Sequence, residues 1–294
     1  MKAIHRNFSL FVLGLAALAA LAVGFNVFWV GGSFSAGPAV SGYRAGLAGR
    51  GAHIYKNPGA NIEKISMRVF HAVPKNKATE AIGSWPGLAE EALQKVSAFH
   101  ELQFGGKSKI SYEIFLRPIV LERDNLYYDS DSTNNGNPHA LITVAEEIER
   151  RVFRESGDLF DKNFAAPREG SYPVMGIIYE GVGAVGGIIY DSDAESPEAI
   201  AKELNVPASL VYRVNVTSSD GFFLLNREFL FDPRYAPRGA TILYHEFAHA
   251  LGVEDRYDAK TDRASSDDIM GGGRREPIEM NYLDPTTLKE MGVF

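Results

Sequence analysis

The sequence predicts a mixed, twisted β-sheet with flanking helices, which is an α+β fold, with α/β as the alternative. Segments in which apolar and polar residues alternate are separated by segments whose apolar residues recur with helical spacing. Hydrophobic residues make up 45% of the 294 residues, which is enough for one sizeable core. The charged fraction of 23% indicates that most of the chain folds.

The first segment, residues 1–32, is predicted to be a membrane anchor or a signal segment. Lys2 and Arg6 precede an uncharged apolar run over residues 8–30, which is long enough to span a bilayer. A cleavable signal peptide would have a shorter apolar region, and cleavage after residues 20–22 would leave an apolar new terminus. We therefore expect a single-pass anchor with the rest of the chain exported, and secretion after signal cleavage is the alternative.

A flexible linker is predicted over residues 33–60, where Gly, Ser and Ala are concentrated, and a folded domain over residues 61–294. Ser84 and a capping box of Thr143 with Glu146 are predicted to start the first two helices of this domain. In chain order, the predicted elements are a strand over 63–73, a helix over 84–102, a strand over 109–121, a helix over 143–156, a β-hairpin over 173–190, a short helix from 196, a strand over 221–231, a helix over 239–251 and a last helix over 284–292.

Composition and two failed motifs exclude several classes of function. The chain has no cysteine, which excludes disulfides, thiolate catalysis and iron–sulfur clusters, and its net charge of −7 with no basic cluster argues against nucleic-acid binding. Residues 181–186 match a dinucleotide fingerprint, but a strand-like stretch follows where a helix is needed, so we interpret them as the turn of a hairpin. The acidic loop over residues 129–137 lacks the glycine of a calcium-binding EF-hand loop and is interpreted as solvated.

The stretch TILYHEFAHALGVEDRYD carries the chemistry. His245 and His249 are four positions apart and share one helix face, a spacing that suits zinc. Glu246 lies beside the first histidine, where a general base could reach a metal-bound water without ligating the metal. Gly252 can end the helix in the left-handed conformation, so that the reversed chain brings Asp255 back to the histidines as a third ligand.

Two further sets of residues could compete for the role of ligand. Glu254 and Asp258 also lie near the position of the third ligand, so the assignment of Asp255 depends on spacing. The other histidines of the folded domain and linker are expected to be structural or solvated; they are His53, His71, His100 and His139. A helix that merely contains two histidines is the alternative interpretation of the motif, and the joint spacing of the motif residues argues against it.

The extended pattern H-E-x-x-H-x-x-G-x-x-D resembles the metzincin clan of zinc metallopeptidases, and its ending in Asp is similar to the snapalysin-like branch. Downstream, DDIMG looks like the Met-turn of that clan. The resemblance is specific over residues 241–271 and only architectural before them. It implies a zincin-like catalytic domain with bound Zn²⁺, a peptide or protein substrate, and Met270 under the metal as a structural floor.

The chain departs from the clan at one position and leaves one surface to be identified. Many clan members have a tyrosine two residues after the methionine, where this chain has Gly272, so Tyr257 or Tyr282 is the candidate for stabilising the transition state. The clan also pairs its substrate with an edge strand before the motif helix. Residues 221–231 are the candidate, and a buried core strand is the alternative interpretation.

The sequence therefore predicts an exported zinc endopeptidase. Glu246 would take a proton from the zinc-bound water as the water attacks a peptide carbonyl, and would pass that proton to the leaving amine. One alternative is a gluzincin-type peptidase whose third ligand is Glu276 or Glu279, although Pro277 argues against a helix there. The other is a membrane-anchored, non-catalytic binding module that keeps the fold.

Overall fold

The structure is a computed structural model, and it describes the greater part of the chain beyond residue 52. The described residues are 53–54, 57–79, 83–129, 139–156, 171–190, 196, 198–199, 202, 208–213, 220–258 and 261–291. Within these ranges no helix has the length and apolar character needed to cross a membrane. The predicted anchor or signal segment, residues 1–32, and all but the first residue of the predicted solvated loop lie outside the described residues.

A seven-stranded mixed sheet forms the centre of the domain. In chain order, the strands of the structure are β1 (His53–Ile54), β2 (Asn57–Asn61), β3 (Lys64–Val73), β4 (Lys109–Ile114), β5 (Ile119–Val120), β6 (Tyr172–Tyr179), β7 (Ala184–Tyr190), β8 (Val211–Arg213) and β9 (Gly221–Asn226). The main sheet has the order β4-β3-β6-β9-β7-β8, and β5 pairs with β3. β7 runs antiparallel to β9, whereas the other pairs are parallel.

The helices cover both faces of this sheet. They are α1 (Trp85–Gln103), α2 (Asn125–Tyr128), α3 (His139–Ser156), α4 (Glu228–Phe231), α5 (Gly239–His249) and α6 (Pro285–Glu290). Alternate residues of β3 enter two different cores: Met67 and Val69 pack with residues of α1 and α5, and Phe70 and Ala72 pack with residues of α3. The predicted mixed sheet with flanking helices is therefore confirmed.

The predicted β-hairpin over residues 173–190 is wrong. Both of its strands form, as β6 and β7, but they do not pair with each other. Leu224 of β9 lies between them, opposite Ile177 on one side and Val185 on the other. The physical reason is burial, because β9 is buried along its whole length and such a strand belongs at the centre of a sheet.

The predicted strand over residues 221–231 is correspondingly shorter and differently placed. It ends at Asn226, and residues 228–231 form the short helix α4. Because β9 has a neighbour on each side, it is not an edge strand. The prediction that it receives the substrate is wrong, and the alternative interpretation as a core strand is correct.

Three other predicted boundaries differ from the structure. Helix α3 already begins at His139, so Thr143 and Glu146 lie inside it and form no capping box at its start. The strand predicted over residues 109–121 is interrupted, because Pro118 has no N–H group to donate to a neighbouring strand. Helix α6 ends at Glu290, and residues 292–294 lie outside the described residues.

The strands β1 and β2 pair with each other at the end of the segment for which a flexible linker is predicted. The start of the folded domain near residue 61 remains a prediction. The glycine-rich connection between β6 and β7 leads into a strand and not a helix, so it lacks the context of a dinucleotide fingerprint, but its interpretation as a hairpin turn is wrong because β6 and β7 do not pair. Asp129 anchors this connection, because its Oδ1 accepts hydrogen bonds from the Tyr179 hydroxyl (2.7 Å) and from the Val182 amide (2.9 Å).

Candidate metal centre

Helix α5 carries the two motif histidines and packs closely on the sheet. A methyl group on Gly186 of β7 would overlap the backbone carbonyl oxygen of Glu246, and one on Gly221 of β9 would lie 2.8 Å from the carbonyl oxygen of Ala250. Only glycine allows a helix to approach a strand this closely. On the opposite side, Phe247 is fully buried in the core. The helix is therefore fixed with its histidine face beside β7.

The end of this helix turns the chain back as the sequence predicts. Gly252 has a φ of 81°, which is the left-handed conformation. Its amide donates to the carbonyl of His249 (2.9 Å), and the amide of Val253 donates to that of Ala248 (3.2 Å). This pair of bonds is the Schellman pattern that ends many helices. Three residues after the glycine, Asp255 lies beside the histidines.

Three donor atoms converge at this point. Oδ1 of Asp255 lies 3.0 Å from Nε2 of His245 and 3.4 Å from Nε2 of His249. All three residues offer ligand atoms that lie within 4.8 Å of one another. The two imidazole rings are nearly perpendicular, with centroids 4.9 Å apart, so their nitrogens approach one point from different directions.

The other nitrogen of each ring is held by the backbone. Nδ1 of His245 lies 3.1 Å from the carbonyl oxygen of Ile269, and Nδ1 of His249 lies 2.6 Å from that of Val253. A carbonyl oxygen only accepts, so each Nδ1 carries a hydrogen, and Nε2 is the nitrogen that presents a lone pair when the ring is neutral. This is the arrangement that orients histidines toward a metal in proteins, and the residues therefore fit a divalent cation.

The charges of the cluster depend on one another. Burial raises the pKa of Asp255, but hydrogen bonds from both histidines outweigh it and hold that pKa well below its usual range. Burial lowers the pKa of His249, but the hydrogen bond to Asp255 and the charge of Glu246 raise it to about 9. Asp255 is thus a carboxylate that is stabilised by hydrogen bonds from the imidazoles and by positive charge on His249. A divalent cation at the same point would supply that charge in place of protons.

Glu246 and Tyr257 are the two other titratable groups of this site. Burial raises the pKa of Glu246, while the charges of His245 and His249 lower it. A raised pKa suits a carboxylate that must both take up and release a proton. Burial, together with the charges of Asp255 and Glu246, raises the pKa of Tyr257 to about 12. Its hydroxyl therefore keeps its hydrogen near neutral pH and can donate a hydrogen bond.

The turn that contains Met270 lies against the same helix. Met270 is fully buried, and the carbonyl before it, that of Ile269, receives the hydrogen bond of His245. Oδ1 of Asp268 accepts hydrogen bonds from the Ser266 hydroxyl (2.6 Å) and the Met270 amide (3.2 Å). Oδ2 accepts from the hydroxyl of Thr287 in α6 (2.6 Å). Asp268, which sequence reasoning did not single out, therefore fixes both the shape of the turn and its place on α6.

The two candidate tyrosines make different contacts around the site. The ring of Tyr257 lies 6.0 Å from that of His245, centroid to centroid. The guanidinium carbon of Arg274 lies 3.7 Å from the centroid of the same ring. Tyr282 reaches the turn through its main chain, where its carbonyl accepts from the amide of Ile269 (3.2 Å). Tyr257 is therefore the candidate whose ring lies next to a ligand histidine.

The rival third ligands lie elsewhere. Among the described residues, the one group of at least three His, Asp or Glu side chains that could hold a metal is His245, His249 and Asp255. Glu276 and Glu279 are both exposed, and Oε1 of Glu279 lies 3.6 Å from Nζ of Lys95 in α1.

The other histidines behave as expected where their side chains are described. His71 pairs with the buried Glu180 at 2.7 Å. His100 lies between the hydroxyls of Ser108 and Tyr244, at 2.6 Å and 3.0 Å. Both histidines are fully buried and structural. The side chains of His53 and His139 lie outside the described part of the chain.

Comparison with known proteins gives only a distant likeness. Neither a protein-family model nor a curated protein sequence matches the chain. Among solved structures, wild-type OgpA from Akkermansia muciniphila is similar with 12% sequence identity and a TM-score of 0.37, covering 77% of this chain and 59% of that one. Catalytically inactive OgpA from the same organism, in complex with an O-glycopeptide (glycodrosocin) substrate, has 10% identity and a TM-score of 0.38, covering 76% and 58%. The chain thus spans less than two thirds of those structures, and function is inferred from the site itself.

Proposed function

We propose that this protein is a zinc-dependent endopeptidase. The observation that carries the proposal is the convergence of His245, His249 and Asp255 within 4.8 Å, with Glu246 on the same helix. A purely structural metal site has no use for a carboxylate with a raised pKa beside its ligands. Gly252 and the buried turn at Met270 further support a site of the metzincin type.

The donor set favours zinc over other common cations. Two imidazole nitrogens and one carboxylate oxygen suit zinc, whereas calcium and magnesium prefer oxygen ligands. Three protein ligands also leave one position open, as catalytic zinc sites do. When bound there, zinc would polarise a peptide carbonyl and make a neighbouring water more acidic.

The residues around the ligands have separate roles in this scheme. Glu246 takes a proton from the attacking water and passes it to the nitrogen of the leaving amine, so that the proton count balances when the peptide bond breaks. The Tyr257 hydroxyl donates a hydrogen bond to the carbonyl oxygen as negative charge develops on it. The turn that contains Met270 holds the ring of His245, because the carbonyl of Ile269 accepts a hydrogen bond from Nδ1 of that ring.

β7 offers a stretch of strand near the site for an extended peptide, and residues 185–187 of this stretch are buried. β7 pairs with β9 over residues 184–188, but on its other side it pairs with β8 only from Ile188 onward. Among the described residues, 184–187 thus lack a second strand partner, and Gly186 lies against the backbone of Glu246. A substrate could add there as a strand, with main-chain hydrogen bonds that do not depend on its sequence. This stretch replaces residues 221–231 as the candidate platform.

Export and anchoring are proposed from the apolar N-terminal segment alone. Residues 8–30 would hold the chain in the membrane or direct its secretion, so that the substrate is met outside the cytoplasm.

The test combines metal content with turnover on the full-length chain. We expect about one zinc per chain by elemental analysis, cleavage of casein, and loss of cleavage with a zinc chelator that is reversed by added zinc. Glu246→Gln should keep the zinc and lower the rate by a factor on the order of 10³ or more. A zinc-containing chain that cleaves neither casein nor a peptide library would favour a binding module. A chain that binds no zinc would overturn the proposal.

A further inference from the structure

We propose that Arg274 is a positioning residue that holds the ring of Tyr257 so that its hydroxyl faces the reacting carbonyl. The inference rests on the proposed function and extends it to the segment after the Met-turn. Three contacts meet at the guanidinium group of Arg274.

The first contact is with a hairpin that lies between the third ligand and the Met-turn. Tyr257 pairs with Ala264 across this hairpin, and the amide of Asp258 donates to the carbonyl of Arg263 (2.9 Å). At its tip Asp262 has a φ of 56°, which is uncommon for a residue other than glycine. The carboxylate of Asp262 forms ion pairs with Arg274 and Arg275, which follow the Met-turn.

The second contact joins the same guanidinium to the Met-turn itself. An N–H of Arg274 donates to the carbonyl oxygen of Gly271 at 2.7 Å. The side chain is only 15% exposed, so the guanidinium is held between the turn and the hairpin rather than free in solvent. A guanidinium is planar and its donors are fixed in one fork, so two such partners set its orientation.

The third contact uses this orientation. The guanidinium carbon lies 3.7 Å from the centroid of the Tyr257 ring, and the ring of His245 lies 6.0 Å from the same centroid. The ring of Tyr257 therefore stacks against the guanidinium of Arg274 and lies near the ring of His245. A guanidinium stacked on an aromatic face restricts the tilt of the ring, which decides where the hydroxyl lies.

Such restriction matters because a transition-state donor acts only in the correct place. A displacement of about 1 Å at a reacting group can cost on the order of 10²-fold in rate. Arg274 should therefore affect the rate only by positioning the Tyr257 hydroxyl. Arg275 provides the matched control, because it carries the same charge and also forms an ion pair with Asp262, whereas the described stacking contact belongs to Arg274.

The kinetic test is a double-mutant cycle on the full-length, zinc-loaded chain with a quenched fluorescent peptide that spans a casein cleavage site. We expect Tyr257→Phe to lower kcat about 10²-fold and Arg274→Gln about 10-fold, with KM and zinc content unchanged in both. The double variant should match Tyr257→Phe to within about twofold, because the hydroxyl is already gone. Arg275→Gln should change kcat by less than about twofold.

A spectroscopic test reports on the ring itself. In protein labelled with 3-fluorotyrosine, the ¹⁹F resonance missing from Tyr257→Phe identifies Tyr257. That resonance should shift or broaden in Arg274→Gln and stay in place in Arg275→Gln.

Three results would overturn the inference. The first is that Arg274→Gln lowers kcat by the same factor in wild type and in Tyr257→Phe. The second is that Arg274→Gln loses zinc. The third is that the ¹⁹F resonance of Tyr257 is unchanged in Arg274→Gln. If wild type has no peptidase activity, the proposed function fails, and the role of Arg274 in catalysis fails with it. If wild type is active and Glu246→Gln is not, a failed cycle counts against Arg274 alone.

Discussion

Replacing Asp255 with alanine should weaken zinc binding without unfolding the domain. The carboxylate supplies one of three protein donor atoms, and its Oδ1 lies 3.0 Å from one imidazole nitrogen and 3.4 Å from the other. Alanine removes the donor and its negative charge. It leaves the helix, the left-handed Gly252 and both histidines in place.

The size of the effect follows from the number of ligands and from exposure. Structural zinc sites with four protein ligands bind with roughly 10–16 kcal/mol, or about 2.5–4 kcal/mol per ligand. The Asp255 side chain is 42% exposed, so solvent screens part of its charge and the lower end of this range applies. About 2.5–3 kcal/mol corresponds to a loss of affinity on the order of 10²-fold.

The assay is a competition titration of the full-length chain against a fluorescent zinc chelator. Glu254→Ala is the matched control, because it removes a neighbouring carboxylate that lies outside the converging group. It should change the affinity by less than about threefold. Equal zinc affinity in wild type and Asp255→Ala would refute the three-ligand site, and so would an equal loss in both variants.

Two further predictions concern residues that hold helix α5 in place. Gly186→Ala would place a methyl group against the carbonyl oxygen of Glu246, so it should lower the free energy of unfolding by about 1–3 kcal/mol and lower Tm. Gly87→Ala is the control, because a methyl group there would meet open space and should not lower Tm. Equal Tm values for the two variants would contradict the packing argument. Burial lowers the pKa of His100 from 6.5 to about 3, so the unfolded chain binds a proton that the folded one rejects, and stability falls as pH drops below 6.5. By pH 5 the free energy of unfolding, measured with urea, should be lower by about 2 kcal/mol. His100→Gln should remove this part of the pH dependence, and an unchanged pH dependence in that variant would contradict the prediction.

The ligands of the candidate site could be predicted because they lie close together in sequence. One helical turn separates His245 from His249, and the helix period alone puts them on one face. The return to Asp255 needs only one left-handed residue, and Gly252 is there with a φ of 81°. Spacing within residues 245–255 was therefore sufficient to find the group, and the carbonyl of Ile269 then holds the ring of His245.

The supports of the site could not be predicted in the same way, because each joins two separate segments. Asp268 binds a hydroxyl of α6, and Arg274 binds the hairpin at Asp262. An aspartate in a turn and an arginine after three glycines are ordinary in sequence. The one available signal was the buried turn itself, in which a short polar side chain often accepts neighbouring amides.

The order of the strands is the part of the fold that could not be predicted from the sequence, and it decides where a substrate could lie. Short-range alternation identified β6 and β7 as strands and suggested that they pair. However, a strand buried on both faces is stabilised most at the centre of a sheet, and β9 therefore separates them. This insertion leaves residues 184–187 with an unpaired side among the described strands. Gly186 then lets helix α5 approach this same stretch, so the residue that permits the helix packing also places the stretch beside Glu246.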